Sequence, residues 1–246
     1  MVASRRLIGV GVGPGDPELV TVKAVRRMRE ADVVLVPVMA LDEPGRAEAT
    51  VRAHVEAETV ERVVFALNDR GGRSQRRLRA WEEAARTVAA HFERGAATVA
   101  FATIGDPNVY STFTYLADTV RELVSDVEIE TVAGITAMQD LAARSGTVLV
   151  EGREPVTLLP VTHGVEQLRS ALAGDSTVVA YKFGRFADEV IQALADTDRL
   201  ADAVYGSRLG LADEDIGPLE HRSGEELPYL STLIAPAKRN GRGGKL

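Results

Sequence analysis

The chain has 246 residues, which suits one large domain or two smaller ones. Its formal net charge of −7 disfavours general binding to nucleic acid. The absence of cysteine excludes disulfides, a thiol nucleophile and thiolate metal sites. Four histidines show no metal-ligand spacing, so no metal site is predicted: His54, His91, His163 and His221. The chain opens without a signal peptide and its apolar runs are short, which predicts a cytoplasmic protein with no membrane partner.

Apolar, β-branched segments alternate with helical patterns through the first half of the chain. Strands are predicted at residues 7–12, 33–36 and 97–103, and helices at 17–29, 46–58, 78–94 and 110–124. Continuous runs of Val, Ile and Leu joined by helices indicate a parallel sheet that is buried on both faces.

The second half has shorter strands and a different rhythm. Strands are predicted at residues 127–132, 156–160, 177–182, 203–205 and 230–235, helices at 136–144, 165–173 and 186–195, and loops at 197–202 and 213–215. The predicted fold is therefore two α/β domains with mainly parallel or mixed sheets. Residues 1–122 form the first domain and residues 123–237 the second. The basic, glycine-rich residues 238–246 are predicted to be disordered.

A glycine-rich run occupies residues 9–17, which read Gly-Val-Gly-Val-Gly-Pro-Gly-Asp-Pro. Glycines allow the backbone to approach a ligand closely, whereas Asp16 and Pro17 suit the start of a helix. The third glycine of a dinucleotide fingerprint would stand at residue 16, which is aspartate, and no Gly-Lys-Ser/Thr follows. A dinucleotide oxidoreductase is therefore disfavoured. A tight strand-to-helix turn without a ligand remains an open alternative.

Three glycine-containing turns follow three predicted strands: residues 13–17, 105–107 and 133–137. In an open α/β sheet the ligand crevice lies at the carboxyl ends of the strands, so these turns are candidates for one site. Asp106 could accept hydrogen bonds from a ribose or an ammonium group, or it could cap a helix that begins near Asn108. No nucleophile elbow is present, which favours chemistry that needs little acid–base help and leaves the catalytic residues unknown.

These turns resemble the signatures of the tetrapyrrole methylases, which use S-adenosylmethionine to methylate corrin and sirohaem precursors. The first signature is residues 9–17 with Leu19-Val20-Thr21, the second is Gly105-Asp106-Pro107 with Tyr110, and the third is Gly134-Ile135-Thr136-Ala137. The block Tyr110-Ser111-Thr112-Phe113 looks most like the branch that methylates carbon 20 of precorrin-2 or cobalt-factor II. Glu151-Gly152, Thr157-Leu158-Leu159-Pro160 and Tyr181-Lys182 resemble the same branch.

The resemblance implies a homodimer that binds S-adenosylmethionine and a tetrapyrrole in a cleft between two α/β domains. Carried over residue by residue, it implies cofactor contacts from Pro14, Gly105, Asp106, Val109, Tyr110, Thr136, Ala137, Tyr181 and Lys182. It implies substrate contacts from Gly13, Gly15, Asp16, Ser111 and Thr112.

Five arginines lie between residues 70 and 79: Arg70, Arg73, Arg76, Arg77 and Arg79. Arginine pairs well with carboxylates, and the substrate implied by the resemblance is a polycarboxylate. We therefore expect Arg73, Arg76 and Arg77 to contact the substrate. A solvated loop and helix start is the alternative for this run.

The chain departs from the family pattern at three places. Ala133 stands where proline is usual, Asn108-Val109 where an apolar pair is usual, and Gly206-Ser207-Arg208 where Val-Glu-Arg is usual. Two alternatives stay open as a result. One is another branch of the family, acting on precorrin-4 or precorrin-3B at carbon 11 or carbon 17. The other is a non-catalytic paralogue that binds the cofactor or a tetrapyrrole.

Overall fold

The computed structural model describes residues 4–65, 74–239 and 241. The chain divides into two compact units, Met1–Thr136 and Ala137–Leu246, each with its own five-stranded sheet. The predicted α/β fold class is thereby confirmed. Among the described residues, no helix combines the length and the apolar character needed to cross a membrane.

The first unit is a parallel α/β sheet with helices on both faces. Its elements are β1 (Arg6–Gly11), α1 (Val22–Glu30), β2 (Val33–Val38), α2 (Arg46–Arg52), β3 (Val60–Val64), α3 (Gln75–Glu93), β4 (Thr98–Thr103), α4 (Phe113–Leu123) and β5 (Glu128–Val132). The strand order is β3-β2-β4-β1-β5, and every pairing is parallel. One apolar layer packs α3 and α4 against the sheet, and the other packs α1 and α2.

The helix predicted over residues 17–29 is interrupted. A short 3-10 helix at Pro17–Leu19 precedes α1, which begins at Val22. The break arises because Thr21 has an extended backbone and caps α1, its Oγ1 accepting a hydrogen bond from Ala24 N at 3.1 Å.

Two other helices are shorter than predicted. Helix α2 ends at Arg52 instead of residue 58. Helix α4 begins at Phe113 instead of residue 110, because Tyr110 has a left-handed backbone with φ of 49° that a right-handed helix cannot include.

The first unit extends beyond the predicted domain boundary at residue 122. Strand β5 pairs with β1 in parallel, with Ile8 opposite Glu130, and so completes the first sheet. The division between the units consequently falls after Thr136. Strand β5 follows α4 by a few residues and lies beside β1, at the edge of the sheet opposite β3.

The second unit contains a mixed sheet. Its elements are α5 (Ala137–Ser145), β6 (Val156–Pro160), α6 (Glu166–Leu172), β7 (Thr177–Tyr181), α7 (Ala187–Asp196), β8 (Val204–Ser207), β9 (Asp215–Pro218) and β10 (Ser231–Ala235). The order is β6-β7-β10-β8-β9, with β10 antiparallel to both of its neighbours. Asp215, predicted to lie in a loop, is the first residue of β9.

The first two residues of the segment predicted to be disordered are ordered by contacts with the second unit. Lys238 and Arg239 belong to the described part of the chain, and Arg239 Nη2 lies 2.7 Å from Glu154 Oε2. The Glu154 side chain is fully buried, and this hydrogen-bonded ion pair raises the pKa of the Arg239 guanidinium above its ordinary value. Residues 240 and 242–246 lie outside the described part.

Candidate active site

The structure brings the three glycine turns to one edge of the first sheet. Strands β4, β1 and β5 are neighbours, and the turns follow their carboxyl ends. Gly105 N donates a hydrogen bond to Gly13 O at 2.8 Å, and the two residues form an isolated antiparallel bridge. The carboxyl edge of this sheet is where an α/β fold presents its ligand crevice.

Gly11, Gly105 and Gly134 approach one another backbone to backbone, and we call them the glycine junction. A Cβ atom on Gly11 would lie 2.6 Å from both Gly105 O and Gly134 N. A Cβ atom on Gly134 would collide with Gly105 O and would lie 2.8 Å from Gly11 Cα. Because these atoms belong to the main chain, they cannot rotate away. Only glycine fits at positions 11 and 134.

Asp106 ties two of the turns together. Its Oδ2 accepts a hydrogen bond from Gly134 N at 3.0 Å, and its Oδ1 accepts one from Asn108 N at 2.8 Å. The alternative, that Asp106 caps a helix beginning near Asn108, is wrong, because α4 begins only at Phe113. A carboxylate offers about four lone-pair sites, so Asp106 retains acceptor capacity beyond these two bonds.

The loop after β1 is held by residues from α2 and the turn behind it. Thr50 Oγ1 donates to Gly15 O at 3.1 Å, and His54 Nε2 donates to Pro17 O at 2.8 Å. Asp16 Oδ1 accepts from Glu18 N at 2.9 Å, which confirms its predicted capping role. The loop is therefore a fixed feature of the first unit. Neither Thr50 nor His54 carries a motif that could have revealed this from sequence.

Replacing Thr50 with valine removes the hydroxyl that holds the loop while keeping the shape of the side chain. Thr50 is buried and Gly15 O would lose its donor, so the free energy of unfolding should fall by about 1 kcal/mol. Thr87→Val is the matched control, because Thr87 Oγ1 bonds Glu83 O on an exposed helix face. Urea denaturation measures both, and equal stabilities would contradict the role of Thr50.

The turn after β4 places Tyr110, Ser111 and Thr112 at the same edge. Ser111 Oγ accepts a hydrogen bond from Phe113 N at 3.2 Å and lies 3.1 Å from Thr103 Oγ1, so Ser111 satisfies the first amide of α4, although the N-cap residue is Thr112. Tyr110 has a left-handed backbone, and its side chain is partly open to solvent, with 42% of the residue exposed. Partial burial raises the pKa of its hydroxyl above the ordinary value. Left-handed residues other than glycine store strain and are enriched at ligand sites.

In the second unit, the end of β7 approaches the start of α5. Tyr181 Oη accepts a hydrogen bond from Met138 N at 3.0 Å, so the phenol caps the first turn of the helix that Ala137 begins. Lys182 is again left-handed, with φ of 63°, and its Nζ lies 5.6 Å from the ring centroid of Tyr229.

Comparison with known proteins identifies the family. The model of the Tetrapyrrole (Corrin/Porphyrin) Methylases matches residues 6–221. The chain belongs to the tetrapyrrole methylase family. Members of this family are methyltransferases that use S-adenosylmethionine, and the predicted family is confirmed.

Two curated relatives are similar to this methylase over nearly its whole length. Precorrin-2 C(20)-methyltransferase of Sinorhizobium sp is 34% identical over 237 residues, which cover 94% of this chain and 95% of the relative. Cobalt-precorrin-2 C(20)-methyltransferase of Salmonella typhimurium is 28% identical, with 93% and 95% covered. The crystal structure of cobalt precorrin-4 methyltransferase, CbiF, superposes with a TM-score of 0.72 at 21% identity, with 94% of each chain covered. That likeness shows the shared fold.

The arginine run of this methylase is only partly described. Arg70 and Arg73 lie outside the described residues, whereas Arg76 and Arg77 stand in the first turn of α3. Arg76 is exposed and Arg77 is half-buried. Ser74 caps this helix, its Oγ accepting from Arg77 N at 3.1 Å. Their contact with substrate stays a prediction.

The departure at Ser207 falls on the edge of the second sheet where β8 ends. Strand β8 runs parallel to β7, because both are antiparallel to β10, so Ser207 and Tyr181 share an edge. Ser207 Oγ is buried and has no hydrogen-bond partner among the described residues. Arg208, which follows it, is left-handed with φ of 50°. The backbone conformations of Lys182 and Arg208 left no signal in the sequence.

Proposed function

We propose that this protein transfers a methyl group from S-adenosylmethionine to carbon 20 of precorrin-2 or cobalt-factor II in cobalamin biosynthesis. The observation that carries the proposal is the 34% identity to a precorrin-2 C(20)-methyltransferase across 94% of the chain. The block of residues 110–113, typical of the carbon-20 branch, lies at the sheet edge beside the glycine junction.

The first unit suits the adenosine and methionine parts of the cofactor. The main chain at Gly105 is open to a ligand, because a Cβ atom there would meet no atom within 4 Å, and the neighbouring Asp106 can accept further hydrogen bonds. Pro14, Gly105, Asp106, Val109, Tyr110 and Thr136 are the residues of this unit that would hold the cofactor. Ala137, Tyr181 and Lys182 are those of the second unit.

A bound sulfonium supplies an already activated methyl group, so transfer to a nucleophilic carbon depends mainly on alignment. Correct positioning can lower a barrier by about 7–11 kcal/mol. The chain meets this need with a fixed loop after β1, anchored by Thr50 and His54, and with the turn that Asp106 holds in place. No strong base is needed for this role.

The proposal extends to the substrate and the assembly. Gly13, Gly15, Asp16, Ser111, Thr112, Arg73, Arg76 and Arg77 would contact the tetrapyrrole. A homodimer in the cytoplasm, without nucleic-acid or membrane partners, completes the proposal. The two curated relatives are named for a metal-free and a cobalt-containing substrate, so the proposal includes both precorrin-2 and its cobalt form.

A second candidate function is binding without turnover. The observation that favours it is Ser207, an uncharged residue at a position where the family pattern has an acidic one, with a buried hydroxyl that lacks a partner among the described residues. A protein of this kind would bind S-adenosylhomocysteine and the tetrapyrrole but would form no product.

Calorimetry with S-adenosylhomocysteine in the presence of a chelator should show binding, since no metal site is expected. Incubation with labelled S-adenosylmethionine and precorrin-2 or cobalt-factor II should then give a product that is heavier by one methyl group. Binding without product would support the second candidate. Binding of NADH or ATP, with no binding of S-adenosylhomocysteine, would contradict both.

A further inference from the structure

An exposed aromatic ring stacks on the only tryptophan of the chain. Trp81 of α3 and Tyr115 of α4 lie with ring centroids 4.4 Å apart and an interplanar angle of 12°. Trp81 is 9% exposed, whereas Tyr115 is 49% exposed. The indole therefore supports one side of the phenol ring, while much of that ring faces solvent. We call this arrangement the Trp81–Tyr115 pair.

The pair lies toward the carboxyl edge of the first sheet. Helix α3 ends at Glu93, shortly before β4 starts at Thr98, so its last turn is at the amino edge and its first turns are at the carboxyl edge. Tyr115 is the third residue of α4, directly after Ser111 and Thr112. Helical side chains lean toward the helix N-terminus, which directs both rings toward the carboxyl edge.

The start of α3 is positively charged in a place where a helix favours negative charge. Residues 75–81 include Arg76, Arg77 and Arg79 and no acidic residue. The helix dipole makes cations unfavourable at this end. Trp81 Nε1 is also buried without a hydrogen-bond partner in the described ranges. An anionic ligand would offset the unfavourable placement of Arg76 in the first turn.

We propose that Tyr115, supported by Trp81, is a substrate-binding residue that stacks against a conjugated ring of the macrocycle. Arg76 and Arg77 then pair with carboxylates on the rim of the same molecule. A flat ring system with several carboxylates matches an aromatic face beside clustered guanidinium groups better than the cofactor does. This inference rests on the proposed function and adds residues that no signature motif contains.

Three substitutions on helix α4 test the aromatic part. Tyr115→Ser should raise the Kd and the KM for precorrin-2 by roughly 3–10-fold, the range for losing an aromatic stack. Leu123→Ser is the matched control, because Leu123 is 51% exposed and lies in the last turn of α4, at the opposite edge. Tyr115→Phe keeps the ring and should match the unaltered protein. Affinity for S-adenosylhomocysteine should be equal in all four proteins.

Trp81 provides a readout that does not require turnover. As the single tryptophan of the chain, it is the source of the indole fluorescence, and quenching by added precorrin-2 gives the Kd directly. Replacing Arg76 and Arg77 together with glutamine should raise KM in a way that fades as salt rises, because exposed charges are screened beyond about 8–10 Å near physiological ionic strength.

The outcomes separate this inference from the proposed function. If the unaltered protein methylates precorrin-2 while Tyr115→Ser behaves like Leu123→Ser, the inference is overturned and the proposed function stands. If the unaltered protein neither binds nor methylates a tetrapyrrole, both are overturned. A change in sedimentation without a change in tetrapyrrole affinity would make the pair a contact between copies of the chain, which also overturns the inference.

Discussion

Gly134→Ala is expected to abolish measurable binding of S-adenosylhomocysteine and to lower the free energy of unfolding by roughly 3 kcal/mol, the upper end for overpacking. The new Cβ would collide with Gly105 O and would lie 2.8 Å from Gly11 Cα. Since both obstacles are main-chain atoms, the turn after β5 must move away from Gly105 and from Gly11 at the end of β1. Urea denaturation and calorimetry measure the two effects.

Gly174→Ala provides the control for this substitution. A Cβ on Gly174 would meet only Ala171 O, at the ordinary contact distance of 3.5 Å, and Gly174 does not have a left-handed backbone. Its stability and its affinity for S-adenosylhomocysteine should stay close to those of the unaltered protein. If Gly134→Ala behaves like Gly174→Ala, the glycine junction is not as close as described and does not cradle the cofactor.

Asp106→Ala should lower the free energy of unfolding by about 2 kcal/mol, because Gly134 N and Asn108 N each lose a charged acceptor. If the carboxylate also binds the cofactor, the free energy of binding S-adenosylhomocysteine should weaken by about 1.5–3 kcal/mol. This corresponds to a Kd that is roughly 10- to 150-fold higher. Asp106→Asn keeps one carbonyl oxygen and should give an intermediate loss of stability.

Two measurements distinguish the structural role of Asp106 from a role in binding. Affinity measured well below the unfolding transition reports the folded protein alone. Asp118→Ala is the control, because Asp118 is an exposed carboxylate that pairs only with Arg121 of the same helix in the contacts described. A loss of stability in Asp106→Ala with unaltered affinity would confine Asp106 to holding the two turns.

Local signals account for the parts of the fold that sequence predicted well. The apolar runs of β1, β2 and β4 are buried throughout or nearly so, and their nearly continuous apolar character marks them as inner strands. Strand β3 was missed because Glu61 and Arg62 interrupt its apolar pattern, as an edge strand allows. The interruption after residue 19 was missed because a single capping threonine decides it.

In the candidate site, too, sequence predicted the features that depend on neighbouring residues and missed those that depend on residues far apart in the chain. Its glycine turns were visible because each is a contiguous motif next to an apolar strand. The bond from Asp106 to Gly134 joins residues 28 positions apart, and that from Thr50 to Gly15 joins residues 35 apart. No local pattern encodes such pairings. The left-handed backbone of Tyr110 was likewise invisible, because a tyrosine gives no sign of a positive φ.

The glycine junction has a consequence for the genetics of this protein. A clash between two side chains can be relieved by shortening either of them, so second-site suppressors of such substitutions are common. At Gly11 and Gly134 the colliding atoms are a carbonyl oxygen, an amide nitrogen and α-carbons, which every amino acid carries. A screen for revertants of Gly134→Ala should therefore return the original glycine and no compensating residue at Gly11 or Gly105.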